Sequence, residues 1–127
     1  MAFQANNTGN LWTVGSGGGS DNHGDWGLGM KAGTSPAIAP VAGGYEVAFQ
    51  ANTGSLWSVG ADNHGDWGQP MKAGTSPAIA GLADGSYQVA YQLSDGLVRS
   101  TGPDYGYEST VLSMRPGTSP SITGIEW

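Results

Sequence analysis

Alternating apolar and polar residues form the clearest pattern in the chain. Its best example is an eight-residue stretch in which two faces alternate: Tyr45, Val47, Phe49 and Ala51 on one, and Glu46, Ala48, Gln50 and Asn52 on the other. A period of two is typical of a half-buried β-strand. Residues 87–93 repeat the alternation, and no stretch shows a helical period. The pattern therefore predicts an all-β protein.

Turn residues divide this pattern into units of four short strands. The first strands are predicted at residues 36–39, 77–80 and 120–123, each opening with a proline that needs no partner for its missing N–H. Gly54 and Gly96 mark hairpin turns after the second strands. The third strands are predicted at residues 56–59 and 97–100, and the fourth at residues 26–30 and 67–71. Pro70 restricts the last of these to a sheet edge.

The order of these segments repeats along the chain. Gly-Thr-Ser-Pro occurs at residues 33–36, 74–77 and 117–120, a period of about 42 residues. The prediction is one repeat domain, residues 1–127, with copies at approximately 2–46, 47–89 and 90–127. The chain starts within a second strand and its last segment reads as a first strand. We therefore expect the C-terminal strand to complete the first copy.

Three such units are compatible with three architectures: a β-trefoil monomer, a β-prism monomer, or half of a six-bladed β-propeller built by dimerisation. The predicted first strands carry mainly Ala, Ser and Thr around a single Ile. Small side chains suit the crowded axis of a propeller, whereas a trefoil barrel needs larger ones. The composition favours the propeller, which with three blades requires self-association, most simply as a homodimer.

Two segments carry a resemblance to known repeats: Gly-Thr-Ser-Pro-Ala-Ile-Ala at residues 74–80, and Tyr-Glu-Val-Ala-Phe-Gln-Ala-Asn-Thr-Gly-Ser-Leu-Trp-Ser-Val-Gly at residues 45–60. They resemble tandem repeats of secreted actinobacterial proteins and the blades of propeller lectins. Similar lectins assemble a six-bladed ring from short chains. The resemblance implies a propeller fold, a glycan ligand and an extracellular location.

Composition limits the possible partners. The net charge is −6 and only 4 residues are Lys or Arg, whereas nucleic acids and anionic membranes require clustered basic residues. The chain has no cysteine, no apolar run long enough to span a bilayer and no signal peptide pattern. We therefore expect no nucleic acid partner and no membrane insertion. Residues 14–20, rich in Gly and Ser, read as a flexible linker, natural or engineered.

The candidate chemistry lies in a loop that occurs twice, Asp-Asn-His-Gly-Asp-Trp. The predicted ligand-binding residues are Asp21, Asn22, His23, Asp25 and Trp26 in one copy and Asp62, Asn63, His64, Asp66 and Trp67 in the other. An indole can stack on the C–H face of a sugar while carboxylate and amide groups bond its hydroxyls. The alternative is that the indoles pack between sheets and the polar residues shape turns. Trp12 and Trp57, which lie within strands, are expected to be scaffold.

The third copy departs from this loop. Residues 102–108 replace it, with Asp104 and Tyr105 or Tyr107 in its place, and Val98 stands where the strand tryptophan is expected. We therefore expect the third site to be altered or absent. The Asp-x-His-x-Asp spacing resembles a metal loop, but the closing glutamate of an EF-hand is absent, and we expect neither a metal nor a cofactor. No catalytic motif occurs, so an enzyme is not expected. The sequence leaves two hypotheses: a lectin whose repeated shallow sites act by avidity, or a structural, self-assembling propeller fragment without a ligand.

Overall fold

A computed structural model describes residues 1–15, 23–104 and 108–124, and within these ranges the regular structure is entirely β. The strands are β1 Ala2–Gln4, β2 Asn10–Thr13, β3 Gly24–Gly29, β4 Ala37–Val41, β5 Gly44–Gln50, β6 Ser55–Gly60, β7 Gly65–Pro70, β8 Ala78–Gly81, β9 Tyr87–Gln92, β10 Leu97–Thr101 and β11 Glu108–Ser113. The all-β prediction is confirmed.

The strands form three separate sheets in chain order. The first sheet has the order β1-β2-β3, the second β4-β5-β6-β7 and the third β8-β9-β10-β11. All pairings are antiparallel between strands that follow each other in the chain, so each sheet is a meander. Among the described residues no sheet closes into a barrel, the feature that a trefoil would need. Pro70 ends β7, an edge strand, as its missing N–H requires.

Tight turns at glycine fix the register within each sheet. Gly54 has φ 91° and Gly96 has φ 92°, a left-handed conformation that glycine adopts without strain. The resulting pairing places Phe49 opposite Trp57 and Tyr91 opposite Arg99. The residue equivalent to the strand tryptophan in the third sheet is therefore Arg99. The sequence interpretation that assigned Val98 to this place was wrong by one residue.

The sheets pack face to face, so a middle sheet is buried on both sides. One core cluster joins the first and second sheets, and Val47 and Phe49 belong to it. The other joins the second and third sheets and includes Ala48 and Leu56. The prediction of a half-buried β5 was therefore wrong, since residues Glu46 to Gln50 are all buried. Alternation in this strand separates two neighbouring sheets, not a core from solvent.

The first strands of the second and third sheets lie side by side. The backbones approach so closely that a Cβ atom added at Gly81 in β8 would clash with the Pro40 carbonyl oxygen of β4. Gly124 stands in the same relation to the carbonyl oxygen of Gly81. Residues 120–124 thus follow β8 as β8 follows β4, although they form no strand and pair with no other described segment.

In the described ranges, no helix is long and apolar enough to cross a membrane.

Candidate functional site

The predicted site residues of the second copy lie at one end of the second sheet and along its last strand. Asp62, Asn63 and His64 belong to the β6–β7 loop, whereas Asp66 and Trp67 lie in β7. In the first copy, His23 precedes β3, which contains Asp25 and Trp26. Asp21 and Asn22 lie outside the described residues.

Each predicted tryptophan carries a histidine on its ring face. The centroids of His64 and Trp67 are 3.5 Å apart with an interplanar angle of 6°, and those of His23 and Trp26 are 3.6 Å apart at the same angle. Both tryptophans also pack against the core clusters between sheets. The structure therefore does not present either indole as an open platform for a sugar ring.

The indole N–H groups are engaged within the protein as well. Trp67 Nε1 donates to Ser58 Oγ at 2.9 Å, and Trp26 Nε1 donates to Thr13 Oγ1 at 2.8 Å. A tyrosine of the following sheet reaches the same hydroxyl in each case: Tyr87 Oη lies 3.3 Å from Ser58, and Tyr45 Oη lies 3.2 Å from Thr13. Trp26 and Trp67 thus connect neighbouring sheets, which was the alternative interpretation of the sequence.

Asp25 and Asp66 lie where the strand pairing shifts register within β3 and β7. Asp66 Oδ1 accepts the Gly68 N–H and Asp25 Oδ1 accepts the Gly27 N–H, each at 2.8 Å. A short carboxylate bonding to the backbone two residues ahead is a common turn-forming contact. Both aspartates are exposed, but these bonds use one oxygen of each. Asn63 is exposed at the tip of its loop.

Asp62 forms hydrogen bonds to two neighbouring sheets. Its Oδ2 accepts the Tyr87 hydroxyl of the third sheet at 2.7 Å, and its backbone N–H donates to Glu46 Oε1 of the second sheet at 2.9 Å. Because Tyr87 donates its proton to Asp62, the Ser58 hydroxyl donates to Tyr87 Oη. The third sheet therefore binds the Asp62 carboxylate, and the second sheet binds the Asp62 backbone.

Glu46 anchors this loop from within the core. Its side chain is 0 % exposed, and Oε2 has no hydrogen-bond partner among the described residues. Burial raises the pKa of Glu46 from 4.5 to about 7; the Asp62 charge adds to this rise and the Asp62 backbone N–H opposes it. Burial likewise raises the pKa of Tyr87, which keeps its hydroxyl protonated as a donor. The carboxyl of Glu46 is consequently partly protonated near neutral pH.

A pocket of about 360 Å³ opens beside Asp62, between the second and third sheets, and its lining is part polar and part apolar. It lies at the end of the sheets where the β4–β5, β6–β7, β8–β9 and β10–β11 connections meet. Its lining includes three carboxylates, from Asp62, Asp84 and Asp104, together with Ser86 and Tyr87. Its described lining contains no lysine or arginine. The volume falls within the range of small-ligand pockets.

An equivalent pocket lies between the first and second sheets. It measures about 330 Å³ and is lined by Thr13, Val14 and Gly15 at the end of β2 and by Gly44 and Tyr45 at the start of β5. Tyr45 has the place that Tyr87 has in the larger pocket. The two pockets therefore share an inter-sheet location and the tyrosine, but no carboxylate belongs to the described lining of the smaller one.

The third sheet does not repeat the tryptophan. The pairing of β10 with β11 places Ser109 where Asp66 lies and Thr110 where Trp67 lies. Thr110 Oγ1 instead donates to the Val98 carbonyl oxygen at 2.9 Å. Asp104 lines the larger pocket from this sheet, and Tyr105 and Tyr107 lie outside the described residues. Within the described ranges, no group of three histidine or acidic side chains is arranged to hold a metal ion.

Sequence reasoning missed the tyrosines, Asp84 and Glu46 as parts of the site. Tyr45 and Tyr87 were interpreted only as strand residues, although both precede a valine at the same place in their copies. The serine or threonine that each contacts, Thr13 or Ser58, also recurs one residue after the strand tryptophan. The recurrence of this pair, a hydroxyl residue and a tyrosine, at equivalent positions of two copies was the sequence signal that could have identified the site. The chain matches no protein-family model and no curated protein sequence.

Proposed function

We propose that the chain is a carbohydrate-binding protein whose repeated sites are the pockets between neighbouring sheets. The observation that carries the proposal is the larger pocket, where Asp62, Asp84 and Asp104 surround a space of about 360 Å³. The equivalent pocket beside Tyr45 supports repetition of the site. This proposal moves the ligand from the tryptophan faces to the loops between sheets.

The lining suits a polyhydroxylated ligand. Carboxylates accept hydrogen bonds from hydroxyl groups and, being charged, form stronger ones than neutral acceptors. Asp62 Oδ2 already accepts from Tyr87, so Asp62 Oδ1 is the oxygen directed to a ligand. Because the residues described around the pocket include negatively charged acceptors and no basic side chain, the pocket also favours a sugar that carries an amino group. Nucleotides and other anions fit this chemistry poorly.

The proposed fold is a β-propeller in which the three sheets are blades. Propellers have about four to eight four-stranded blades, so two chains would supply the six-bladed ring that the repeats suggest. Each pocket is shallow and its affinity for one sugar would be weak. Several pockets on one ring would raise the affinity for a polyvalent glycan by avidity. The resemblance to secreted propeller lectins supports the same proposal, including an extracellular location.

An array of neutral sugars and amino sugars, probed with and without calcium, tests the proposal. We expect binding to a limited set of sugars and no requirement for calcium. Asp62→Asn keeps an acceptor for Tyr87 but removes the charge, and we expect it to weaken binding of the best array sugar about tenfold or more by calorimetric titration.

Asp66→Asn is the matched control. Asp66 lies in the same predicted loop motif but bonds to the Gly68 N–H and does not line the pocket. We expect this variant to bind like the wild type. A blank array, or equal losses from the two substitutions, would contradict the inter-sheet site.

The second candidate is a structural protein that self-assembles without a ligand. One observation favours it: large apolar side chains are exposed at the two ends of the stack of sheets, Phe3 at one end and Leu112 at the other. Self-assembly and sugar binding are compatible, and the ends of the stack can be interpreted without any ligand.

A further inference from the structure

Two internal interfaces of the chain have the same construction. The first interface joins the first and second sheets, and the second interface joins the second and third. In each, a residue after the last strand of one sheet donates its N–H to a glutamine carbonyl of the next: Lys31 to Gln50 at 2.9 Å and Lys72 to Gln92 at 3.0 Å. Backbone hydrogen bonding thus relates each sheet to the next in one way.

Further contacts repeat in the same order. Isolated bridges pair Met30 with Ala51 and Met71 with Leu93. The Ser35 N–H donates to Ser76 Oγ at 2.8 Å, and the Ser76 N–H donates to Ser119 Oγ at 2.9 Å. Each sheet therefore offers one set of groups to the sheet before it and a different set to the sheet after it.

At the first interface, an apolar set of side chains fills the outer part. Leu28 of β3 packs with Phe49 and Trp57 of the second sheet. The rings of Phe49 and Trp57 have centroids 6.3 Å apart at 39°. Phe49 is fully buried by this arrangement.

At the far end of the third sheet, the C-terminal face presents the Leu28 half of this interface. The pairing of Ser113 with Leu97, like that of Gly29 with Asn10, puts Leu112 in the place of Leu28. Met114 likewise donates its N–H to Gly96 as Met30 donates to Gly9. Leu112 is 66 % exposed, and nothing in the described part of the chain covers it.

At the start of the first sheet, the N-terminal face presents the other half. Phe3 lies opposite Trp12, as Phe49 lies opposite Trp57. The ring centroids of Phe3 and Trp12 are also 6.3 Å apart, at 30°. Phe3 is nevertheless 37 % exposed, whereas Phe49 is 0 % exposed. The N-terminal face is therefore already shaped to receive a leucine.

The inner strands show the same complementarity. β1 has a pairing partner on one edge only within the described residues, whereas its counterparts β5 and β9 pair on both edges. Residues 120–124 lie beside β8 in the place of a further first strand but pair with no strand. Ile38 of β4 is 40 % exposed, and its counterpart Ile79, beside β4, is 9 % exposed.

We propose that the two faces join head to tail between two copies of this chain, with residues 120–124 of one copy forming the innermost strand of the first sheet of the other. The register follows from β4 and β5, where Ala37 pairs with Ala48 and Ile38 with Val47. The same register between the copies pairs Ser121 of one copy with Ala2 of the other, and Ile122 of the one with Met1 of the other. Leu112 then packs on Phe3 and Trp12, and Ser119 donates its N–H to Ser35 Oγ.

Two copies are the number that closes the arrangement. A head-to-tail contact produces a closed ring if the rotation completes a circle and an open filament if it does not. One chain supplies three sheets and two supply six, within the range of about four to eight for propellers. The inference rests on the six-blade arrangement proposed above but not on sugar binding, and its test needs no ligand.

A cross-link tests the register. The chain contains no cysteine, so Ala2→Cys and Ser121→Cys can be prepared as separate proteins without interference. Directly opposed residues of antiparallel strands lie within disulfide distance. We expect a covalent dimer of the two proteins when they are mixed and oxidised, and much less from either protein alone. Equal yields from mixed and unmixed samples would overturn the proposed pairing.

A surface substitution tests the face. Leu112→Asp puts a charge into the proposed contact. We expect it to raise the dissociation constant of the dimer more than tenfold, measured by sedimentation. Val111→Asp is the control, because Val111 is 93 % exposed and its counterparts Gly27 and Gly68 stay exposed at the internal interfaces. Circular dichroism confirms that both variants fold. A dimer unaffected by Leu112→Asp, or equally affected by both, would contradict the head-to-tail contact.

Discussion

The first and second interfaces share a backbone arrangement but differ in the side chains that fill them. At the first interface, Leu28 packs on Phe49 and Trp57. At the second, Gln69 takes the place of Leu28, and its Oε1 accepts the Tyr91 hydroxyl at 3.1 Å and Arg99 Nη1 at 2.6 Å. Three apolar residues have thus been exchanged together for three polar ones.

This difference shows that the interfaces are chemically distinct within one geometry. Gln69 needs the donors that Tyr91 and Arg99 provide, and Leu28 needs the apolar surface of Phe49 and Trp57. The open faces carry the apolar type, with Leu112 at one end and Phe3 at the other. Because a buried polar group without a partner is costly, the polar and apolar halves do not pair well with each other. In the head-to-tail assembly proposed above, this chemistry would determine which faces meet.

The largest expected effect concerns the one buried acid in this comparison. Glu46 of the second sheet stands where the third sheet has Gln88, and Asp62 bonds to it. The folded-state pKa of Glu46 is raised from 4.5 to about 7, so its protonation stabilises the fold at pH values below about 4.5, and this stabilisation is lost as the pH rises through 7. The shift corresponds to a change in the free energy of unfolding on the order of 3 kcal/mol.

Glu46→Gln should remove the loss of stability that deprotonation of Glu46 causes as the pH rises. We expect the variant to be more stable than the wild type at pH 8 and to show a flatter dependence of unfolding free energy between pH 5 and 8, measured by urea denaturation. The glutamine keeps an acceptor for the Asp62 N–H, so the loop should remain in place. A variant with the same slope as the wild type would show that Glu46 is not the titrating group.

The next effect comes from placing a polar group in the apolar interface. Phe49→Tyr adds a hydroxyl beside Leu28, whose apolar side chain cannot accept a hydrogen bond as Gln69 does at the second interface. We expect a destabilisation of about 1–3 kcal/mol by thermal and urea unfolding. Leu28→Gln in the same chain supplies an acceptor, so the double variant should lose less than the sum of the single ones. Strictly additive losses would contradict the comparison.

The smallest expected loss of stability comes from the reverse substitution, of tyrosine by phenylalanine, at the second interface. Tyr91→Phe removes the hydroxyl that donates to Gln69, but Arg99 continues to bond the same oxygen. We expect a loss of about 0.5–1.5 kcal/mol, smaller than that of Phe49→Tyr. Urea unfolding of the two variants under one condition makes the comparison. A larger loss from Tyr91→Phe would reverse the order and refute the account of the two interfaces.

The strands could be predicted from the sequence because their signals are local. Alternation in β5, the Gly54 turn and the position of Pro70 depend on neighbouring residues only, and each agrees with the structure. The burial of both faces of β5 could not be predicted in this way. A period of two separates the faces of a strand, but it does not say whether a second sheet covers the polar one.

The candidate site was less predictable, because its contacts cross between sheets. The motif Asp-Asn-His-Gly-Asp-Trp suggested a single cluster of ligand-binding side chains. In the structure, Trp67 packs against the core and Asp62 contacts Tyr87, 25 residues later in the chain. His64 covers the indole face that was expected to meet a sugar. Such long-range contacts become visible in sequence only by comparing equivalent residues of the copies, as with Tyr45 and Tyr87.

The central claim is that the repeated interface continues between copies. The mass of the wild-type protein in solution tests this claim most directly. Native mass spectrometry together with sedimentation equilibrium should give twice the chain mass of 12.9 kDa, with no larger species at micromolar concentration. A folded protein with the mass of a single chain would contradict the claim, and so would an open series of larger assemblies.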